Sequence, residues 1–266
     1  MSTFTQSFGD AFRPHRRVSS STLWLLGGAQ LAIAMGLWLR AGTGVLPGPT
    51  EVIRALGDLW VDEGLGRELV ASALTSLEAV ALASAIALPL AWATVLPALR
   101  PLAALLAKGR FLGLMGLTFL FTLLTGGGHA LKLALLTFGM GVFLVTGMAE
   151  AVASIPKEKL EHARTLGMSE WRVVFEVVVL GTAHQALELI RQNAAIGWTM
   201  VTLVEGLYRG EGGVGALLLN QNKHFHLAEV FAIQLCILLV GLAQDAALVA
   251  VRRGLCPYAE LARERR

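Results

Sequence analysis

Cysteine is nearly absent, two residues in 266, and both sit near the end of the chain. Cys236 falls inside an apolar run and Cys256 in the polar segment after it, so they are not placed to pair, and they exclude a disulfide framework or a cysteine metal site. Charge is scarce as well: Asp, Glu, Lys and Arg make up 15% of the residues, against roughly one quarter in an average soluble domain. The phosphate-cradling pattern GxxxxGK[ST] does not occur, so the chain has no nucleotide loop of that type. No basic run is interleaved with aromatics, which argues against nucleic acid as a partner. No repeat of 20 to 50 residues and no long linker divides the sequence, so a single domain is expected.

What fills the chain instead is hydrocarbon. Apolar residues reach 55% and the mean hydropathy is +0.63, which places it among all-α integral membrane proteins. Six spans are predicted, centred on residues 22–39, 70–97, 111–126, 131–151, 190–207 and 227–250. Most approach the roughly 20 residues needed to cross a hydrocarbon core of about 30 Å, and the third is short. Residues 173–189 are read as an arm leading into the fifth span. With this topology 15 of the 22 basic residues face inward, which sets both termini in the cytoplasm. An isoelectric point near 9.1 then reflects topology and attraction to anionic lipid. The organisation expected is a cytoplasmic segment 1–21 leading into an uncleaved first span, a transmembrane region 22–253, and a cytoplasmic tail 254–266.

Residues 155–181, IPKEKLEHARTLGMSEWRVVFEVVVLG, interrupt the apolar pattern. Pro156 lies at a helix start, where a missing backbone donor is harmless, and Gly167 lies about three turns on, where a left-handed stop needs glycine. The spacing predicts a helix of about ten residues with Leu160, Ala163 and Leu166 on one side and Lys157, Glu158, Glu161 and Arg164 elsewhere. Such a helix is too short to be stable alone and needs something to pack against. Ser169 is expected to cap a second helix, with Glu170 in its first turn.

The pattern Glu161, His162, Ala163, Gly167, then Val177 to Gly181, resembles the EAA loop of ABC importer permeases, especially those for nitrate, sulfonates, taurine and bicarbonate. It departs from that loop at His162 in place of an alanine, Val179 in place of a leucine and Leu180 in place of a proline. LPGPTEVIRAL (46–56), FLFTLLTGGGHALK (119–132), LIRQNAAIGWTMVTLVEG (189–206) and GGVG (212–215) resemble further segments of the same family in the same order. The resemblance implies a type I ABC importer permease fold with about six transmembrane helices, and a coupling helix in a loop at about 152–172. It implies that Lys157, Glu158, Leu160, Glu161, His162, Ala163, Arg164 and Gly167 meet a cytoplasmic ABC ATPase dimer. That dimer would hold ATP and Mg; this chain would hold no cofactor and perform no catalysis. An external binding protein, periplasmic or lipid-anchored, would deliver a small polar or anionic solute to a permease homodimer in a bacterial inner membrane.

Polar groups within the spans are the remaining candidates. Glu188 and Arg191 are placed to pair on one helical face, with Asp245 late in the last span. Thr122, Thr125 and His129 border a glycine run, and with Gln192, Asn193, Thr199 and Glu205 they are candidates for a translocation path, packing being the other reading. Glu78 stands where the family commonly has arginine. Gly210, Gly212 and Gly215 spell GxGxxG, but in an external loop without a βαβ context. His224 and His226 lack a third ligand, and no metal site is expected. A secondary transporter would normally show internal repeats, and an intramembrane enzyme a nucleophile with its base; His129, His184 and Glu150 form no such motif.

Overall fold

A computed structural model describes residues 19–41 and 46–256, and the described residues contain helices and no strand. The predicted cytoplasmic segment 1–21 and tail 254–266 lie almost wholly outside them. Helix α1 (Ser20–Ala41) is an apolar span whose side chains are mostly exposed, as expected of a peripheral helix in lipid. It is tied to the start of the next helix by the Trp38 indole N–H, which donates to the Pro47 carbonyl at 3.0 Å. Helix α2 (Pro49–Val61) starts with proline in its first turn, and the Glu51 carboxylate accepts from the Gly48 N–H at 2.9 Å, closing half a capping box.

The core is built on α3 (Leu65–Trp92) and α6 (Gly128–Ala153). Along α3, Ser72, Ser76, Ala79, Ala83, Ala87 and Ala91 recur at three- and four-residue spacing and are buried. A stripe of small residues lets two backbones approach closely, the geometry that holds helices together where lipid removes the usual hydrophobic drive. Leu131, Leu135, Leu136, Leu144 and Met148 of α6 form the matching buried face. Helices α9 (Ala183–Leu207) and α11 (Leu227–Leu255) complete the bundle, and α10 (Val214–Lys223) closes the end away from the charged insert.

Two of the predicted spans differ from expectation. The third is helix α5 (Leu114–Thr125), only twelve residues or about 18 Å long, and it bends by 117° from the helices before it, including α4 (Arg100–Lys108). The break comes at Leu112 and Gly113, both in extended backbone, so α4 and α5 form an elbow where a straight crossing was expected. The fifth span begins earlier than expected. Its helix α9 starts at Ala183 and meets the arm Glu170–Leu180 at an angle of 44°. Among the described residues four helices are long and apolar enough to cross a bilayer, and the two bent pairs bring the number to six if each is one span.

Candidate functional site

The charged insert forms α7 (Lys157–Thr165), nine residues starting directly after Pro156. Gly167 has φ +79°, the left-handed stop that the sequence predicts. Its N–H donates to Arg164 O at 2.9 Å and Met168 N–H to Ala163 O at 3.3 Å, the paired bonds of a Schellman terminus. Ala163 is buried and Leu160 half-buried, so these two form the inner face, while Lys157, Glu158, Glu161, His162 and Arg164 are exposed. Leu166 does not join that inner face. It lies beyond the last helical turn and is 65% exposed.

Helix α8 (Glu170–Val173) comes next and continues as a wider π-helical turn, Val174–Leu180. Ser169 occupies the N-cap position with extended backbone, but its hydroxyl makes no capping bond; its carbonyl accepts from Val173 N–H at 2.9 Å. The clamp at this junction comes from Arg164. Its guanidinium donates through Nε (2.8 Å) and Nη2 (3.0 Å) to the two carboxylate oxygens of Glu170. That bidentate bond holds the Glu170 carboxyl below the usual carboxylate range and raises Arg164.

At the end of α9 away from α7, Glu205 is 1% exposed. A buried carboxylate is costly unless hydrogen-bonded, and here Ser72 Oγ donates to both its oxygens at 2.8 Å and Gly215 N–H donates at 2.9 Å. The same Ser72 oxygen accepts from Val214 N–H at 2.9 Å, while Gly213 N–H reaches Glu68 Oε2 at 2.5 Å. Lys132, also buried, donates to Gly212 O at 2.9 Å, and Tyr208 Oη accepts from Gly128 N–H at 3.0 Å. The GxGxxG segment is thus a loop pinned onto α3 and α6. Glu205 is its inner anchor and does not open to a path within this chain.

The other predicted path residues divide by direction. Gln192 and Thr199 are exposed on one face of α9, whereas Asn193 is buried on the other, its amide donating to Leu189 O at 2.9 Å and its Oδ1 without a partner among the described residues. Thr122 and Thr125 donate within their own helix, to Thr118 O (2.7 Å) and Phe121 O (2.8 Å). His129 Nε2 pairs with Glu78 Oε2 at 2.8 Å, so the candidate path histidine and the glutamate that departs from the family pattern belong to one half-exposed pair. Thr199 instead shares a cleft of about 460 Å³ with Thr202, Asn222 and Gln234, and no charged residue lines it. Sequence reading missed the last three because they come from three helices, and only the three-residue step from Thr199 to Thr202 along α9 marked the face. His224 and His226 bond to Asn220 O and Gln221 Oε1 of their own turn. Among the described residues no group of three side chains could hold a metal ion.

The predicted pairing of Glu188 with Arg191 is present, with Nη2 to Oε1 at 2.6 Å. Arg191 Nη1 also reaches Asp245 Oδ1 at 2.8 Å, and Arg252 pairs with the other oxygen of Glu188. Two acids and two bases therefore alternate across α9 and α11 with no net charge. Such a network tolerates partial removal from water far better than any member would alone.

Comparison with known proteins places this architecture. A probable ABC transporter permease protein of Brucella abortus (strain 2308) is 24% identical over 238 residues, covering 87% of this chain and 94% of the relative. A second, from Brucella abortus biovar 1 (strain 9-941), matches to the same extent. A chain of the MetNI methionine ABC transporter in an inward-facing form superposes with a TM-score of 0.55 at 18% identity, over 74% of this chain and 97% of that one. The fold is that of a type I importer permease, and residues 85–255 match the family model for the binding-protein-dependent transport system inner membrane component. With that match running from the last third of α3 to the end of α11, the chain belongs to the family of binding-protein-dependent transport system inner membrane components.

Proposed function

We propose that this chain is one of two copies forming the membrane path of an ATP-driven importer, with both termini in the cytoplasm. In this reading α7 docks on a cytoplasmic ABC ATPase, which binds ATP and Mg, and an external binding protein delivers a small polar or anionic solute. The observation that carries it is α7 itself. Its inner face is satisfied by Ala163 and Leu160, and its exposed face presents Lys157, Glu158, Glu161 and His162 away from the bundle. A helix of nine residues is not stable alone, so the bundle has built a fixed mount for an external contact. ATP-driven closure of the ATPases would move the two mounts together and rock the attached spans between inward- and outward-facing states.

The cleft at Thr199, Thr202, Asn222 and Gln234 supports the paired arrangement. Neutral polar side chains at the level of the spans are stable where they face protein or water and costly against lipid. A second copy laid over this face would enclose a mostly apolar passage carrying two hydroxyls and two amides, suited to a small polar solute. The test uses Glu161→Lys and Gly167→Val. Both variants are expected to insert in the membrane and to lose co-purifying ATPase; full retention by both would remove α7 as the docking element.

A further inference from the structure

The resemblance that fits the coupling loop predicts a proline at position 180, where this chain has Leu180. With Leu180 there, the segment Val174–Leu180 is a π-helical turn. Such turns bend helices and concentrate at functional sites. Here the bend between the arm and α9 is 44°. The turn closes on one oxygen: Val178 O accepts from Gly181 N–H, from Thr182 N–H at 3.2 Å and from Thr182 Oγ at 2.6 Å. At Gly181 a Cβ would collide with the Val177 carbonyl oxygen, so the closure excludes any side chain there.

The junction is also fastened from outside. Trp92, the last residue of α3, donates its indole N–H to Thr182 Oγ at 3.1 Å. Thr182 is buried, so this hydroxyl is used in both directions, accepting from α3 and donating to the turn. Around it Ala91, Met148 and Ala186 form a buried cluster joining α3, α6 and α9, with Trp92 packed against it. The arm beyond is held less firmly, since Val173 and Val178 are buried but Trp171 is 69% and Phe175 58% exposed.

We propose that Trp92 and Thr182 are positioning residues that make the junction a fulcrum, so that displacement of α7 is delivered to α9 as rotation about a fixed point. The proposal rests on α7 being the ATPase-docking helix. The arm of 11 residues is about 16 Å long and α9, of 25 residues, about 37 Å. The outer end of α9, which carries Glu205 and the pinned loop, should therefore travel roughly twice as far as the coupling end.

The test needs no knowledge of the solute. In the complex reconstituted with its ATPase, in a background with Cys236→Ala and Cys256→Ser, spin labels are placed at Ser169→Cys or at Arg209→Cys in both membrane subunits. Pulsed EPR distances are compared between the nucleotide-free and ADP-vanadate-trapped states. The unmodified junction should give a change at position 209 about twice that at 169. With Thr182→Val or Trp92→Phe the change at 169 should persist while that at 209 falls by half or more, and Thr182→Ser should restore it. Full movement at 209 in both Thr182→Val and Trp92→Phe overturns the fulcrum while leaving the docking role of α7 intact. Absence of any change at 169 in the unmodified junction overturns the docking role, and the fulcrum with it.

Discussion

Glu205 illustrates how far a single residue can be read. Its acid in an apolar stretch is visible in the sequence, but whether it faces a path or a loop depends on Ser72 and Gly215, which lie 133 and 10 residues away. With the hydroxyl and the backbone N–H aimed at it, its loss should act through the outer loop. Glu205→Leu is expected to leave the Ser72 O–H and the Gly215 N–H without an acceptor at a cost of about 1–3 kcal/mol each, and to expose Gly212 to proteolysis; Glu205→Gln, which keeps an acceptor, should be milder. Thermal unfolding of the two variants in detergent checks the order. Gly167 is the opposite case, because its left-handed φ comes from local chemistry alone and needed no partner to be legible. The Arg164 and Glu170 clamp adds a pH signature. Because the Glu170 carboxyl is held below its ordinary range, the clamp's contribution is complete above that range and is lost as pH falls through the lowered value. A spin label at Ser169 should therefore keep its mobility from neutral pH down to about pH 5 and loosen only in stronger acid.

Elements built on periodic patterns were the legible part of the fold. The apolar runs of α1, α3, α6 and α11 give long helices close to their predicted bounds, since a span of lipid-facing residues has no alternative to helix. The elbow between α4 and α5 was not legible: Leu112 and Gly113 are apolar enough to continue a span, and only packing of the two arms decides that the chain turns by 117°. The π-helical turn was hidden for a similar reason, because Val174–Leu180 is mostly valine and apolar, apart from Glu176, and carries no mark of its hydrogen-bond register. Between α9 and α11 the alternating charges make a specific prediction. Arg191→Met strands Asp245, leaves Glu188 with Arg252 as its remaining partner, and should destabilise the bundle by about 1–3 kcal/mol, discounted from the cost of a fully buried pair because the side chains are about 30% exposed. A further Asp245→Asn change should recover part of that loss in a double-mutant comparison of melting. Along α3, Ala87→Leu should cost about 1–3 kcal/mol by forcing α6 away from the small-residue stripe.

At the scale of the whole molecule, composition alone gave the membrane class, and the order of the motifs gave the family. In the proposed topology the basic residues at the ends of the spans set the sidedness of the bundle. A cysteine introduced at Arg209 should react with a membrane-impermeant reagent from outside and one at Lys159 only from inside; both positions are exposed. The reverse pattern would invert the topology. What the sequence left unreadable was the neutral cleft, because its four polar side chains come from α9, α10 and α11, and each alone resembles an ordinary helix-packing residue. The central claim is that α7 is the point where an ATPase grips the permease. The most direct measurement is photo-cross-linking from a probe placed at Glu161 in native membranes, with the captured protein identified by mass spectrometry. The account predicts capture of a protein carrying the GxxxxGK[ST] nucleotide loop that this chain lacks, from position 161 and not from position 209; equal capture from both positions, or no ATP-binding protein from position 161, would contradict it.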